Sequence, residues 1–360
     1  ILWKTLNTGI IKCQKTNKLI LPGNNWGGNG LIELTLDKLT AQKFDPRDAT
    51  FDAISSFMKK DDDVFILTND FNAFGLDKIR KFAEDRVVNV GITEQNMISV
   101  AAGMALSGKT VFVFGIAAHL SFRALEQIKL DVCVQNLPVI IVAVGAGLAY
   151  GPDGPTHQGV EDISVLRSVP NLSIYNPADF YSIDFSIRNA YESQSPIYIR
   201  LDKEVLPQLY NNDNDIKNGL IVHQEKKTNN QGIIFASGIT LWLALKAQEL
   251  LKKKNIDCSV VDIFKIKPIN TNLLKEILFD TPWAVVVEEA IDLGCLGELI
   301  ARHIDGGPTK LSSVNLGDKF LLGSSNREWA WNKYGFNPSD IVNKVLTLDQ
   351  NTKLGDEKKV

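Results

Sequence analysis

Val111-Phe112-Val113-Phe114 and Val139-Ile140-Ile141-Val142 are the two stretches whose reading decides the fold. Each is apolar at every position and rich in β-branched or aromatic residues. A strand with one wet face would alternate instead, so these read as strands of a parallel sheet covered on both sides. Val64-Phe65-Ile66-Leu67, Val87-Val88-Asn89-Val90 and Ile197-Tyr198-Ile199 have the same character and are separated by segments of helical length. Ahead of them Asp45 can cap a helix, Pro46 suits its first position, and Phe51, Ile54, Phe57 and Met58 recur at helical spacing. The spacing predicts a helix to about Lys60 and one α/β domain over residues 44–205.

Further along, a polar stretch over 206–231, broken by Leu220-Ile221-Val222, reads as a linker. Beyond it Ile233-Ile234-Phe235, Ser259-Val260-Val261 and Ala284-Val285-Val286-Val287 alternate with helical segments, which predicts a second, smaller α/β domain over 232–348. The expected fold class is therefore α/β, two domains that each hold a mainly parallel sheet flanked by helices. Residues 349–360 read as a flexible tail. Residues 1–43 read as an arm of unknown role; their glycine and asparagine cluster at 23–30 lacks the Lys and Ser/Thr ending of a phosphate-binding loop.

Composition excludes several classes. With 22% charged residues and a formal net charge of -3, the chain offers no basic field for nucleic acid or for an anionic membrane surface. No apolar run reaches the roughly 18 residues of a membrane span. The four cysteines stand far apart with no Cys-x-x-Cys pair, which points away from a zinc site or disulfide framework and toward a reducing cytoplasm. Ile1 in place of Met leaves a preceding segment open.

Two segments carry chemistry. In Gly91-Ile92-Thr93-Glu94-Gln95, a carboxylate stands where a strand passes into the small-residue helix Ser99-Val100-Ala101-Ala102-Gly103. Its plain structural reading is a first-turn acid complementing the helix dipole, with Thr93 as cap. In Gly151-Pro152-Asp153-Gly154-Pro155-Thr156-His157-Gln158-Gly159, a glycine- and proline-rich loop holds one of only four histidines; a surface turn is its plain reading.

Together these segments resemble the glutamate motif and the Asp-Gly-Pro-Thr-His-Gln signature of the transketolases, although Pro152 stands where that family usually has glutamate. The resemblance covers roughly residues 45–345. It implies a thiamine-diphosphate-binding fold followed by a transketolase C-terminal domain, and it makes Glu94 the residue that bonds a ring nitrogen of the cofactor's aminopyrimidine and so sets its electronics. Burial would raise the pKa of such a carboxyl and help it share a proton. By residue matching His157 faces the substrate as a proton shuttle and Asp153 reads a sugar hydroxyl. Arg200, at the end of a strand, and Arg47 match arginines that bind substrate phosphate; for both, a plain solvated arginine is the alternative. Asp70 matches an acidic residue near the cofactor. The helix Ala118–Gln127 matches the one whose aromatic stacks on the pyrimidine, with His119 and Phe122 as candidates; Phe is usual where His119 or Leu120 stands. Val287-Glu288-Glu289-Ala290 and Leu293-Gly294-Cys295-Leu296-Gly297 resemble a structural strand-to-helix turn.

A complete member of that family also carries Gly-Asp-Gly and a later asparagine that hold Mg2+ and the diphosphate. No Gly-Asp-Gly occurs in this sequence. The expectation is a split enzyme in which a partner subunit supplies the diphosphate-binding domain and Mg2+, two copies of this chain pair about a two-fold axis, and the substrates are sugar phosphates; a fragment of a longer chain is the alternative. Ketol transfer is the leading activity. Chemistry like that of 1-deoxyxylulose-5-phosphate synthase or of a 2-oxo acid dehydrogenase β subunit, and a non-catalytic assembly role, are the others.

Overall fold

In the computed structural model, residues 43–357 are described apart from 212, 224–230, 305–308 and 323–325, together with Lys4–Thr5, Ile11–Lys12 and Leu19–Ile20, short strands that pair antiparallel. The cluster at 23–30 and most of the expected arm lie outside the described residues.

The first sheet has seven strands in the order Lys265–Lys267, Ser173–Tyr175, Ile197–Leu201, Val139–Val144, Thr110–Ile116, Val64–Thr68 and Val87–Asn89. All neighbours are parallel except Lys265–Lys267, which runs antiparallel to Ser173–Tyr175. Val139–Val144 is buried at every position, as its unbroken apolar run requires. The helix Pro46–Met58 begins as the sequence predicts: Asp45 is its cap, accepting from the N–H of Arg47, and Phe51, Ile54 and Met58 face the core. The helix Glu94–Leu106 buries Ala101, Ala102 and Ala105, small enough to let it lie close to the sheet.

The second sheet runs Leu220–His223, Cys258–Ile263, Gly232–Ala236, Trp283–Val287 and Lys310–Val314, parallel except for its first strand. Two differences from the sequence reading concern boundaries. The stretch read as a linker contains Leu220–His223, which pairs with Cys258–Ile263, and the strand Lys265–Lys267 returns from the second module to extend the first sheet. The modules are thus laced together rather than joined end to end. The helix Pro338–Glu357 also runs on into the expected tail. Inside the Val287–Ala290 turn, Glu288 accepts from the N–H groups of Leu296 and Gly297 at 2.7 and 2.8 Å, and burial pushes its carboxyl up to about 7.

Where the connecting stretch meets the second sheet, Asp262 is fully buried. Tyr210 donates its hydroxyl to Oδ2 at 2.7 Å, Oδ1 meets no hydrogen-bond partner among the described residues, and burial pushes the carboxyl up to about 8. A carboxyl raised above its unfolded value gives its full stability below the unfolded pKa, about pH 4, and withdraws it as pH climbs through the folded value. Asp262→Asn, which never ionises, is therefore expected to lose less stability than wild type between mildly acidic and mildly alkaline pH in urea denaturation. Equal losses in the two proteins would show that this carboxyl does not titrate in that range.

Candidate active site

A left-handed Gly91 turns the chain from Val87–Asn89 into the helix that starts at Glu94. Glu94 is only 3% exposed. Three side chains converge on its Oε1: Asn69 donates from Nδ2 at 3.0 Å, Arg123 from Nη1 at 3.0 Å, and Nδ1 of His119 lies 3.5 Å away. Burial pushes this carboxyl up, but a bond from its own backbone N–H and the hydrogen bond and charge of Arg123 outweigh burial and hold it below the usual glutamate value. That corrects the expectation of a raised pKa. Desolvation acts as foreseen, and the helix-start backbone bond together with a cation absent from the sequence argument overrides it.

The helix Ala117–Arg123 settles which residue faces this carboxylate. Leu120 is fully buried in the core, Phe122 is 52% exposed, and His119 points toward Glu94. Nε2 of His119 lies 3.2 Å from the carbonyl of Thr156, so this nitrogen carries the hydrogen and Nδ1 offers a lone pair, which explains why it stays 3.5 Å from the carboxylate. Burial, with the charges of Arg123 and His157, pushes its pKa down and keeps the ring neutral near pH 7.

The second chemical segment sits directly beside the first. The His119 and His157 rings meet edge to face at 4.9 Å. Nδ1 of His157 is 2.8 Å from the Thr156 hydroxyl, which itself donates to the Asp153 carbonyl at 3.1 Å. With that hydroxyl hydrogen committed, His157 donates from Nδ1 and its Nε2 remains the basic nitrogen. Asp153 is exposed on the same turn. Beyond His157 comes Tyr150, 6.0 Å ring to ring, with Lys203 Nζ 4.4 Å above its face and the charge of Arg47 near it. Arg47 is tied to Asp45 by Nε at 2.9 Å and Nη2 at 2.5 Å, and lines a surface cavity of about 330 Å³ with Asp48, Asn72 and Phe74.

Two candidates stand elsewhere than the sequence suggested. Arg200 is 4% exposed and faces inward: Nε bonds both oxygens of Asp162 at 3.1 and 2.9 Å, and Nη2 donates to the carbonyls of Gly159 at 2.5 Å and Glu289 at 3.3 Å. A guanidinium spent on these partners is an internal brace rather than a phosphate fork. Asp70 is exposed and exchanges bonds with Asn89, so that its neighbour Asn69, not Asp70, reaches Glu94. Asn69, Arg123, Tyr150 and Lys203 are the residues that sequence reasoning missed. The only local signal was the adjacency of Asn69, Arg123 and Tyr150 to Asp70, Phe122 and the histidine loop, and of Lys203 to the strand that ends near Arg200.

The polar groups around Glu94 suit an aminopyrimidine. Asn69 Oδ1 is buried without a hydrogen-bond partner among the described residues, which suits an incoming donor, and all three polar side chains crowd one oxygen of Glu94. The amino donor of a flat aminopyrimidine would meet Asn69 Oδ1, its ring nitrogen would compete with Arg123 at Glu94, and His119 stands near enough to flank it. Among the described residues no cluster of three or more His, Cys, Asp or Glu is placed to hold a metal ion. No helix among them is long and apolar enough to cross a membrane.

Because Arg123 adds to the Glu94 backbone bond in holding this carboxyl down, Arg123→Met removes the cation that opposes burial. The Glu94 carboxyl is expected to titrate at higher pH, followed by NMR of the labelled side chain, and an unmoved titration would show that Arg123 does not set it.

Comparison with known proteins points to one family. Residues 42–208 match the family described as transketolase, pyrimidine binding domain, and residues 222–341 match the transketolase C-terminal domain. An apulose-4-phosphate transketolase subunit of Actinobacillus succinogenes is 33% identical over 267 residues, covering 74% of this chain and 85% of that protein. The 1-deoxy-D-xylulose-5-phosphate synthase of Clostridium tetani is 32% identical over 300 residues, covering 82% of this chain but 48% of the relative, so this chain spans about half of that enzyme. Among solved structures, a split gene transketolase in an inactive β4 tetramer superposes with a TM-score of 0.74 at 30% identity, covering 84% of this chain and 97% of that one. A transketolase from Campylobacter jejuni, at 20% identity and a TM-score of 0.73, shares the fold. With both domain models matched over most of its length, the chain belongs to the transketolase family.

Proposed function

We propose that this chain is the pyrimidine-activating subunit of a split transketolase and takes part in moving a two-carbon ketol unit between phosphorylated sugars. The observation that carries the reading is Glu94, buried at a helix start with Asn69 and Arg123 bonded to it and the His119–His157 pair alongside. Thiamine diphosphate, when bound, supplies a carbon able to carry the transferred unit and store its charge.

In this reading Glu94 holds a proton against a ring nitrogen, and Asn69 fixes the rotamer of its carboxylate. Arg123, half exposed, is the contact with which the ring nitrogen competes. His157 takes or returns a proton at a substrate oxygen through Nε2, and Asp153 reads a hydroxyl. The positive charges of Lys203 and Arg47 around Tyr150 suit the anionic end of a sugar phosphate. A partner subunit is assigned the diphosphate and Mg2+, in keeping with a relative that is itself named as one subunit of a transketolase and with the missing Gly-Asp-Gly. Pairing of two copies of this chain about a two-fold axis, carbohydrate metabolism and a cytoplasmic setting belong to the same proposal. For the last, Cys133, Cys258 and Cys295 are buried as free thiols.

The similarity to 1-deoxy-D-xylulose-5-phosphate synthase favours one other reading, in which pyruvate is the donor. The two part at the donor. Mixing the purified chain with its diphosphate-binding partner, thiamine diphosphate and Mg2+ is expected to consume a ketose phosphate, with neither chain active alone. Consumption of pyruvate but no ketose phosphate would hand the assignment to the synthase reading.

A further inference from the structure

The loop that carries Asp153 and His157 is closed at its neck, where Gly147 and Gly159 exchange backbone bonds at 2.8 and 3.0 Å. The second module grips that neck. Leu148 donates its N–H to Glu289 Oε2 at 2.9 Å, the Ala146 carbonyl accepts from Arg327 Nη2 at 3.1 Å, and the Val160 carbonyl accepts from the N–H of Ile291 at 3.1 Å. From the first module Arg200 joins in, bridging the carbonyls of Gly159 and Glu289. Glu289 is pinned in turn by Arg327 from Nε and Nη2, at 2.9 and 2.7 Å, and by Trp331 Nε1. Nη1 and Nη2 of Arg327 also hold the two oxygens of Asp202, at 2.8 and 2.7 Å. The fit leaves no slack: Gly147 is left-handed, and a Cβ there would stand 2.2 Å from Glu289 Oε2.

We propose that Arg327 and Glu289 are positioning residues that hold the His157 loop in its substrate-facing form, so that the C-terminal module acts on the chemistry of the pyrimidine-binding domain through the loop's neck. This rests on the function proposed above and deepens it. A buried ion network is weak evidence for stability by itself. Here, however, Glu289 and Arg327 end on the Leu148 N–H and Ala146 carbonyl at one side of the loop, while Arg200 and the Ile291 N–H hold the Gly159 and Val160 carbonyls at the other. That arrangement restrains a loop's position, and misplacing a reacting group by about 1 Å can cost about a hundredfold in rate.

The test is amide hydrogen exchange and steady-state kinetics on the complex assembled with the partner subunit. Arg327→Lys keeps one charge but cannot hold Glu289, Asp202 and the Ala146 carbonyl at once. Because breaking a buried pair can unfold a protein, Trp331→Phe, which removes a single donor to Glu289, is measured beside it. The clamp predicts that amides of residues 148–158 exchange about tenfold faster or more while those of Val139–Val144 keep their rates. It also predicts that kcat falls more than the substrate KM rises, with Arg327→Lys the larger effect wherever it folds. Wild-type loop exchange, or faster loop exchange with kcat intact, in a folded variant would overturn the proposal. If the wild-type complex turns over no ketose phosphate, the transketolase reading fails, while the exchange arm still decides whether the clamp holds the loop.

Discussion

A carboxylate is carried into the interior of this protein because Asn69 and Arg123 donate to it, and the arrangement of the site follows from where these two and neighbouring His119 stand. Asn69 follows directly on the strand Val64–Thr68, while His119 and Arg123 sit four residues apart on one face of the helix Ala117–Arg123. The alanines of the Glu94–Leu106 helix let that helix approach closely enough for its first residue to fall between them. Burial alone would favour a neutral glutamic acid; the bond from its own backbone N–H and the bond and charge of Arg123 keep it charged in the absence of a ring.

Charge is treated differently a few residues away. His119 is kept neutral by burial and by neighbouring positive charge, while His157 is wired through Thr156 so that one nitrogen is committed and the other is left to act. Beyond them positive groups gather around Tyr150. The order from Glu94 through His119 and His157 to Tyr150 and Lys203 thus runs from a buried carboxylate to an anion-attracting end, the polarity on which the proposed sugar-phosphate substrate rests. Among the described residues the second module contributes no side chain to this row, yet Glu289 and Arg327 stand at the neck of the loop that supplies half of it.

Much of the architecture was legible because strands buried on both faces must be apolar throughout, so Val111–Phe114 and Val139–Val142 could hardly be anything else. Ser173–Tyr175 and Lys265–Lys267 escaped because each is three residues long and they pair with one another across distant sequence, the latter carrying two lysines at its ends. Leu220–His223 was hidden in a polar stretch whose pairing is also non-local. At the site, Glu94 and His157 were legible from motifs, whereas Asn69 and Arg123 matter only through contacts 25 and 29 residues away in sequence. Arg200 misled for the same reason. An arginine ending a strand reads alike whether it faces a ligand or an internal Asp162, and only the fold tells which.

The most direct test of the central claim is the exchange of the reactive C2 hydrogen of bound thiamine diphosphate with deuterated water, measured in the assembled complex with wild-type chain and with Glu94→Gln. If Glu94 activates the ring, the substitution slows this exchange by about a hundredfold or more while cofactor binding persists. An unchanged exchange rate in a variant that still binds cofactor would contradict the account.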